Sequence, residues 1–274
     1  MGIGRPVTPK EHGAWLALGV SLFAGSFAVK PEGSVLWLEF ALLAIASFAG
    51  FMAFTPLRRL LIPSTGANKG RNLLWLIVYL LISAGCFFTL LFHYERGGLF
   101  WFVIPASALT ISYLRWNITK SQKSLSLETV WIAGLALASP AASYVQQNGL
   151  TAEALFLYIL MVIWLVDRAM MARQIVDSIR RKAKFGSVRA KVRRYLPQFL
   201  IHLAALLLVA VVITMSKGLI PWTACIPFLL ATAKNLADTL SLKQNNDPMK
   251  AGFSEMRLGI AFALIMVVVF RIRF

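Results

Sequence analysis

The side chains best suited to chemistry in this chain sit at the edges of long apolar stretches. Glu11 and His12 stand in the run Thr8-Pro9-Lys10-Glu11-His12-Gly13-Ala14-Trp15. Glu128 opens one apolar stretch, Asp167 lies near the end of another, and Glu255 follows Ser254 ahead of the last. Carboxylates and an imidazole accept or release protons, and an apolar setting tunes them to do so near neutral pH. These five are the candidate catalytic residues. Lys10, Arg58, Arg59, Arg115 and Lys234 are candidate substrate-binding residues, because ammonium and guanidinium groups donate to carboxylate or phosphate oxygens. Asp177 joins them: if the helix holding Asp167 continues, Gln174, Asp177 and Arg181 share its face.

Most of these groups also have a simpler structural reading. Thr8 and Glu11 flanking Pro9 form a capping box that starts a helix at Pro9. Glu128 at a helix start is favoured by the backbone dipole. Arg173 with Asp177, Asp177 with Arg181, and Lys234 with Asp238 are ordinary helical pairs four residues apart. Ser254 is placed to cap the helix that begins at Glu255. Asp167 is different: it falls inside a predicted span, where an ionisable group faces a partner or a cavity and not lipid.

The elements that must position these groups follow from the solvent the chain requires. Of its 274 residues 58% are hydrophobic and only 14% charged, and the apolar ones are gathered into blocks near the ~18 residues that a hydrocarbon layer demands of a helix. Nine spans are predicted: Gly13 to Val29, Ser34 to Phe54, Leu73 to His93, Gly98 to Leu114, Leu127 to Tyr144, Thr151 to Met170, Tyr195 to Met215, Leu219 to Leu240 and Leu258 to Phe270. The expected fold is an all-α polytopic transmembrane bundle forming one integral membrane domain over residues 1–274. In the fifth span, Gly134, Ala138 and Ala142 offer a face of small residues for close helix packing, and Pro140 interrupts the backbone ladder. A kinked central helix is implied.

Charge sets the orientation. With the N-terminus inside, Lys30, Arg96, Lys217, Arg271 and Arg273 alone fall outside, and the rest of the 28 Lys and Arg face the cytoplasm. An even number of spans, with Arg271 and Arg273 inside, is the competing arrangement. Ser26-Phe27-Ala28 after the first span imitates a signal-peptide cleavage site, but removing that span would destroy the alternation of charge. The chain is therefore expected in a bacterial cytoplasmic (inner) membrane as a multi-pass protein, with membrane lipids as partners. A net charge of +17 distributed between apolar blocks fits anionic headgroups and not nucleic acid.

Several chemistries lose support. Cys86 and Cys225 are isolated within predicted spans, and no pair of the three histidines His12, His93 and His202 has metal-ligand spacing. There is no P-loop, H-E-x-x-H, dinucleotide turn or G-x-S-x-G elbow. Neither cofactor nor metal is assigned.

The motif Pro9-Lys10-Glu11-His12-Gly13-Ala14-Trp15, the stretch Lys123-Ser124-Leu125-Ser126-Leu127-Glu128 leading to Leu137-Ala138-Ser139-Pro140-Ala141-Ala142, and Gly252-Phe253-Ser254-Glu255 resemble the YwiC-like family of bacterial integral membrane proteins. That resemblance implies no particular reaction. The architecture is also similar to the UbiA prenyltransferase superfamily: nine helices, N-terminus inside, and a cavity opening toward the cytoplasm. Such likeness implies an isoprenoid diphosphate held through magnesium by two Asp-rich motifs. Here the first motif is absent, its loop carrying Arg58, Arg59, Lys69 and Arg71, and at the second place Asp167 and Asp177 stand apart from D-x-x-x-D spacing. Direct neutralisation of a phosphate by cations is what the residues leave in its place.

The resulting expectation is a UbiA-like bundle that binds an isoprenoid or lipid phosphate in a cytoplasm-facing cavity, an enzyme if His12 or a carboxylate moves a proton. A small-solute or ion-coupled transporter is the alternative suggested by Asp167, Lys234 and Asp238. A non-catalytic membrane assembly partner is the third.

Overall fold

The computed structural model describes residues 5–9, 12–28, 36–62, 68–119, 125–180, 187–240 and 248–272. The side chains of His12 and of residues 117–119, 125–126, 174, 177–180, 248 and 250–251 stand outside that description. Regular structure among the described residues is entirely helical. The helices are α1 (His12–Ala28), α2 (Trp37–Leu61), α3 (Lys69–Phe88), α4 (Phe100–Thr119), α5 (Leu125–Ala136), α6 (Ala138–Gln147), α7 (Ala152–Arg180), α8 (Val188–Met215), α9 (Ile226–Leu240) and α10 (Pro248–Ile272). Among the described residues, six stretches are long and apolar enough to cross a membrane: Trp37–Leu61, Lys69–His93, Gly97–Trp116, Ala152–Arg173, Val188–Met215 and Gly252–Ile272. Gly13–Ala28 is a shorter apolar helix. Helices close their backbone hydrogen bonds internally, the requirement that a lipid interior imposes. The protein is a multi-pass helical membrane protein.

Two compact units are formed, one from Met1–Ser26 and Pro31–Thr151, the other from Phe27–Lys30 and Ala152–Phe274. In the first, α2 and α3 run side by side as a hairpin. The Ser83 hydroxyl donates to the Ala46 carbonyl at 2.8 Å, opposite Gly50, where even a Cβ would come within 3.3 Å of Ser83 Oγ. At one end of the unit, Phe54, Tyr113, Leu114 and Leu127 form a buried cluster with Leu57, Trp116 and Trp131 against it. The Trp131 ring lies 4.5 Å from that of Phe54 and 4.8 Å from that of Tyr113, centroid to centroid. At the other end, Arg96 Nε donates to Glu39 at 2.6 Å. There too the Gln146 amide brackets Leu36, accepting from its N–H at 3.0 Å and donating to its carbonyl at 3.4 Å.

The second unit is a ring of four helices in which α7 touches α8 and α10, and α9 closes the circuit between them. Its centre is aromatic. Trp164 stacks on Phe262 with centroids 4.5 Å apart, and Phe228 meets both rings edge-on. All three are fully buried. The outward faces are the reverse: Leu73, Leu80 and Leu81 of α3 and Leu200, Leu203 and Leu207 of α8 are exposed, an apolar surface that acyl chains and not water must cover. Of the six long apolar stretches, that of α7 is the most enclosed and that of α3 the least.

The predicted elements are recovered with changes of extent. The fifth predicted span is two helices, because a turn at Leu137 separates α5 from α6. Leu137 N–H still donates to Ala133 and Ala141 N–H to Leu137, each at 3.2 Å. Pro140 has no N–H for the Ala136 carbonyl, so the ladder loses the bond that would have crossed the turn. The eighth predicted span shortens to α9. It is preceded by Lys217 and Gly218 at positive φ and by a 3-10 turn over Trp222–Cys225.

Two helix starts also move. Pro9 lies ahead of α1 in non-helical backbone, so the expected capping box does not open a helix there; its chain is tied instead by Trp15 Nε1, which donates to the Pro9 carbonyl at 3.3 Å. Ser254 is inside α10, not at its cap, because Pro248, which needs no N–H partner, provides the first helical position. At the far end of α10, Arg271 Nε donates to the carbonyl of Phe27 at 2.7 Å.

Close packing in the first unit centres on Gly25, where a Cβ would overlap the backbone of Ser139. Gly25→Ala is expected to destabilise the protein by about 1 to 3 kcal/mol, the usual cost of overfilling a packed contact. Gly85→Ala in α3, where a Cβ meets nothing within 4 Å, is expected to be neutral or mildly stabilising. Thermal denaturation in detergent, followed by tryptophan fluorescence, separates the two.

Candidate functional site

Charged groups gather inside the second unit. Asp167 and Arg168 are adjacent on α7, and both are buried. Arg168 Nε donates to Asp167 Oδ2 at 3.1 Å and Arg168 Nη2 donates to the same oxygen at 2.6 Å. From α8, His202 brings Nδ1 to 2.8 Å from Asp167 Oδ2. On the opposite edge of the guanidinium, Arg168 Nη1 donates to Asn235 Oδ1 of α9 at 3.2 Å and, at a longer 3.5 Å, to Glu255 Oε2 of α10. Lys234 of α9 donates to Glu255 Oε1 at 2.9 Å and to Asp238 Oδ2 at 3.1 Å. Beneath the network lies Trp164, its ring 5.4 Å from Arg168 Cζ, at a distance where an aromatic face attracts a guanidinium.

Each helix supplies its part for a local reason. Trp164 and Arg168 are four apart on α7, so the ring and the guanidinium stack on one face. Lys234 and Asp238 are likewise four apart on α9 and pair as expected. Lys191, near the start of α8, donates to the backbone carbonyl of Asp238 and fastens α8 to the end of α9.

The histidine carries a proton inventory of its own. Ionised Asp167 accepts, so His202 Nδ1 donates to it. His202 Nε2 lies 2.7 Å from Thr232 Oγ1, and that hydroxyl lies 2.9 Å from the Phe228 carbonyl. Thr232 has one hydrogen to give. If it goes to Phe228, Nε2 must donate and the ring is an imidazolium; if it goes to Nε2, the ring is neutral. Rotation of one hydroxyl therefore accompanies each change of charge at His202.

Exposure of the side chains rises along the network, from 2% at Asp167 and at His202, through 12% at Glu255 and 23% at Lys234, to 63% at Asp238. A closed, water-poor end thus connects through paired charges to an open one.

Of the residues singled out from sequence, Asp167, Glu255 and Lys234 are brought together here. Arg58, Arg59, Arg115 and Glu128 belong to the first unit. Arg58 and Arg59 lie in the last turn of α2, Arg115 follows Tyr113 on α4, and Glu128 lies in the first turn of α5. The Phe54, Tyr113 and Leu127 cluster holds these three helix ends side by side. Lys10 and Glu11 lie outside the described residues, as do the side chains of His12 and Asp177.

Sequence reasoning missed Arg168, His202 and Asn235 as site residues. Arg168 was read with the loop cations of the inside face, yet it is buried; Lys191, read the same way, is also buried. A signal for Arg168 existed in its adjacency to Asp167 within an apolar helix, since two neighbouring charges in a span are affordable only when paired. Nothing in the spacing of His202 pointed to it. Among the described residues no three His, Cys, Asp or Glu side chains stand together as a metal site, so the magnesium implied by the UbiA resemblance finds no fitting ligand set among them.

Class and family likeness follow from different parts of the chain. The long apolar helices define a multi-pass membrane protein. Residues 8–143 match the family model described as YwiC-like protein, and over that part the chain is similar to the YwiC-like family. The matched segment runs from just before α1 into α6, so the charge network of the second unit lies beyond it. No curated protein and no solved structure matches the chain.

Removing one member of the buried pair strands the other. Asp167→Ala is expected to cost about 3 to 5 kcal/mol of stability, the typical effect of leaving a buried charge uncompensated. Combining it with Arg168→Met is expected to cost less than the sum of the single changes. Unfolding of the four proteins in mixed detergent and denaturant micelles supplies the double-mutant cycle, and additive losses would show the pair to be uncoupled.

Proposed function

We propose that the protein is a transporter that couples movement of a small solute across the membrane to protonation at Asp167 and His202. The observation that carries this reading is the continuous network of ionisable groups inside apolar helices, closed at Asp167 and open at Asp238. Charges in a span are expensive and mark ion or substrate pathways. Arg168 is the hinge of the mechanism because it is shared. With Asp167 ionised, Arg168 sits on Asp167 at 2.6 Å and only reaches Glu255 at 3.5 Å. A proton taken up by Asp167 removes its hold on Arg168, which then closes on Glu255. Glu255 in turn loosens its contact with Lys234, the partly exposed cation facing the open end. The proton at one end thereby changes the charge presented at the other. A guanidinium does not give up its proton, so Arg168 transmits the change by moving, and does not conduct protons itself.

Reconstitution tests this reading. Purified protein in liposomes containing pyranine is given an inward proton gradient and, in turn, pooled amino acids, small carboxylates and sugars. Solute-dependent acidification of the lumen is expected with one pool, and Asp167→Asn is expected to slow it at least tenfold. The reading fails if no pool drives proton entry or if Asp167→Asn supports entry at the wild-type rate.

A second reading is favoured by a different observation. Arg58, Arg59 and Arg115 are held at one end of the first unit beside an aromatic cluster, the pairing of charge and apolar surface that an isoprenoid or lipid phosphate needs. On this reading the chain is UbiA-like in its binding of an amphiphile, with N-terminus and arginine-bearing end in the cytoplasm of a bacterial inner membrane. Cations hold the phosphate directly. Saturable binding of farnesyl phosphate by the purified protein is expected, weakened at least tenfold by Arg58→Gln with Arg59→Gln; no saturation, or unchanged binding in the double variant, excludes it.

A further inference from the structure

The charge network contains a hydrogen-bond donor that it does not use. Asn235 is buried, with 3% of its surface exposed, and its Nδ2 has no acceptor. The orientation of this amide is set chemically: Oδ1 accepts from Arg168 Nη1 at 3.2 Å, and reversing the group would drive its NH2 against a guanidinium that offers only donors. Nδ2 shares its carbon with Oδ1, so the unused donor stands beside the guanidinium. Arg168 has five N–H hydrogens. Two serve Asp167 and Nη1 serves Asn235 and, at 3.5 Å, Glu255, which leaves one Nη2 hydrogen without an acceptor among the described residues.

A buried amide hydrogen left without an acceptor is costly, because it has given up water and gained no partner. What the place lacks is a hydrogen-bond acceptor for Asn235 Nδ2, and beside a guanidinium a carboxylate oxygen makes the stronger, charge-assisted bond. A planar carboxylate presents two in-plane oxygens, the arrangement for which a guanidinium edge is matched. Trp164 under Arg168 holds that edge in position. Lys234, 23% exposed at its side chain, lies toward the open end and attracts an anion in the same direction.

We propose that Asn235 Nδ2 and Arg168 form the seat of a small carboxylate, which is the solute class of the transport reading above. The inference rests on that reading for its meaning, but the site stands or falls by binding alone. The carboxylate enters past Lys234, takes the Asn235 amide and the guanidinium edge, and competes with Glu255 for Arg168. Asn235 is a binding residue here and takes no part in proton movement.

The test uses the full chain in detergent micelles and calorimetric titration with sodium acetate, lactate and succinate, compared at equal ionic strength with sodium phosphate and sodium chloride. Saturable binding is expected with at least one carboxylate and not with chloride. Asn235→Leu is expected to weaken it at least tenfold, and Asn235→Asp, which places a negative charge on the seat, to abolish it. Asn235→Ser, which keeps a hydroxyl donor, is expected to retain more affinity than Asn235→Leu at similar thermal stability, a difference that mere loss of packing would not produce. Binding of phosphate alone, binding of none of the anions, or equal affinity in wild type and Asn235→Leu overturns the proposal. Carboxylate binding without proton-coupled entry into liposomes would remove the transport reading and leave the site. Proton-coupled entry with sugars alone, together with no saturable carboxylate binding, would do the opposite.

Discussion

A guanidinium enclosed by apolar helices is the constraint on which the second unit depends. Arg168 cannot shed its charge, and an unpaired cation in a low-dielectric interior costs several kcal/mol or more. It must therefore be met from every side. Asp167 meets it from its own helix, Asn235 from α9 and Glu255 from α10, and His202 of α8 completes the shell around Asp167. Arg168 ties α7 to α9 and α10, and the Asp167 it holds ties α7 to α8. The Trp164, Phe228 and Phe262 rings beneath it keep that arrangement dry, and dryness strengthens every charge interaction above them.

The first unit is held together by other means. Its helices approach through small residues, with Gly25 against Ser139 and Gly50 against Ser83, and through aromatic contacts of Trp131 with Phe54 and Tyr113. Its buried ion pair, Glu39 with Arg96, lies at one end and ties the hairpin to the segment after α3. Cations at the opposite end stand beside apolar rings. Packing of small and aromatic residues is what lipid-embedded helices need for assembly alone; the charge network of the second unit is an additional cost that function has to justify. The two units differ in this respect, and the difference directs attention to the second.

The break between α5 and α6 shows how a local sequence feature and a tertiary contact combine. Pro140 removes one backbone bond, but a proline alone bends a helix and need not interrupt it. Interruption at Leu137 coincides with the close approach of Gly25 to Ser139 on the far side of the turn. The small residues Ala138, Ser139, Ala141 and Ala142 leave room for that approach, and three of them are buried along with Pro140.

Much of the architecture was legible in the chain itself. Helical membrane spans follow from apolar block length, because backbone groups in hydrocarbon have no partners but one another. The Lys234 and Asp238 pair and the position of Glu128 in a first turn follow from helical periodicity and the backbone dipole, both of which act over a few residues. Asp167 stood out because an acid in a span needs a reason. What sequence could not disclose was the reason: His202, Asn235 and Glu255 come from three other helices, and no local rule relates positions so far apart along the chain. Nor could it separate Arg168 from the loop cations around it, since a charge count along a chain does not distinguish an arginine that faces headgroups from one rotated inward onto tryptophan. Burial and pairing are properties of the assembled helices, set by which faces meet, and only the tertiary structure decided them.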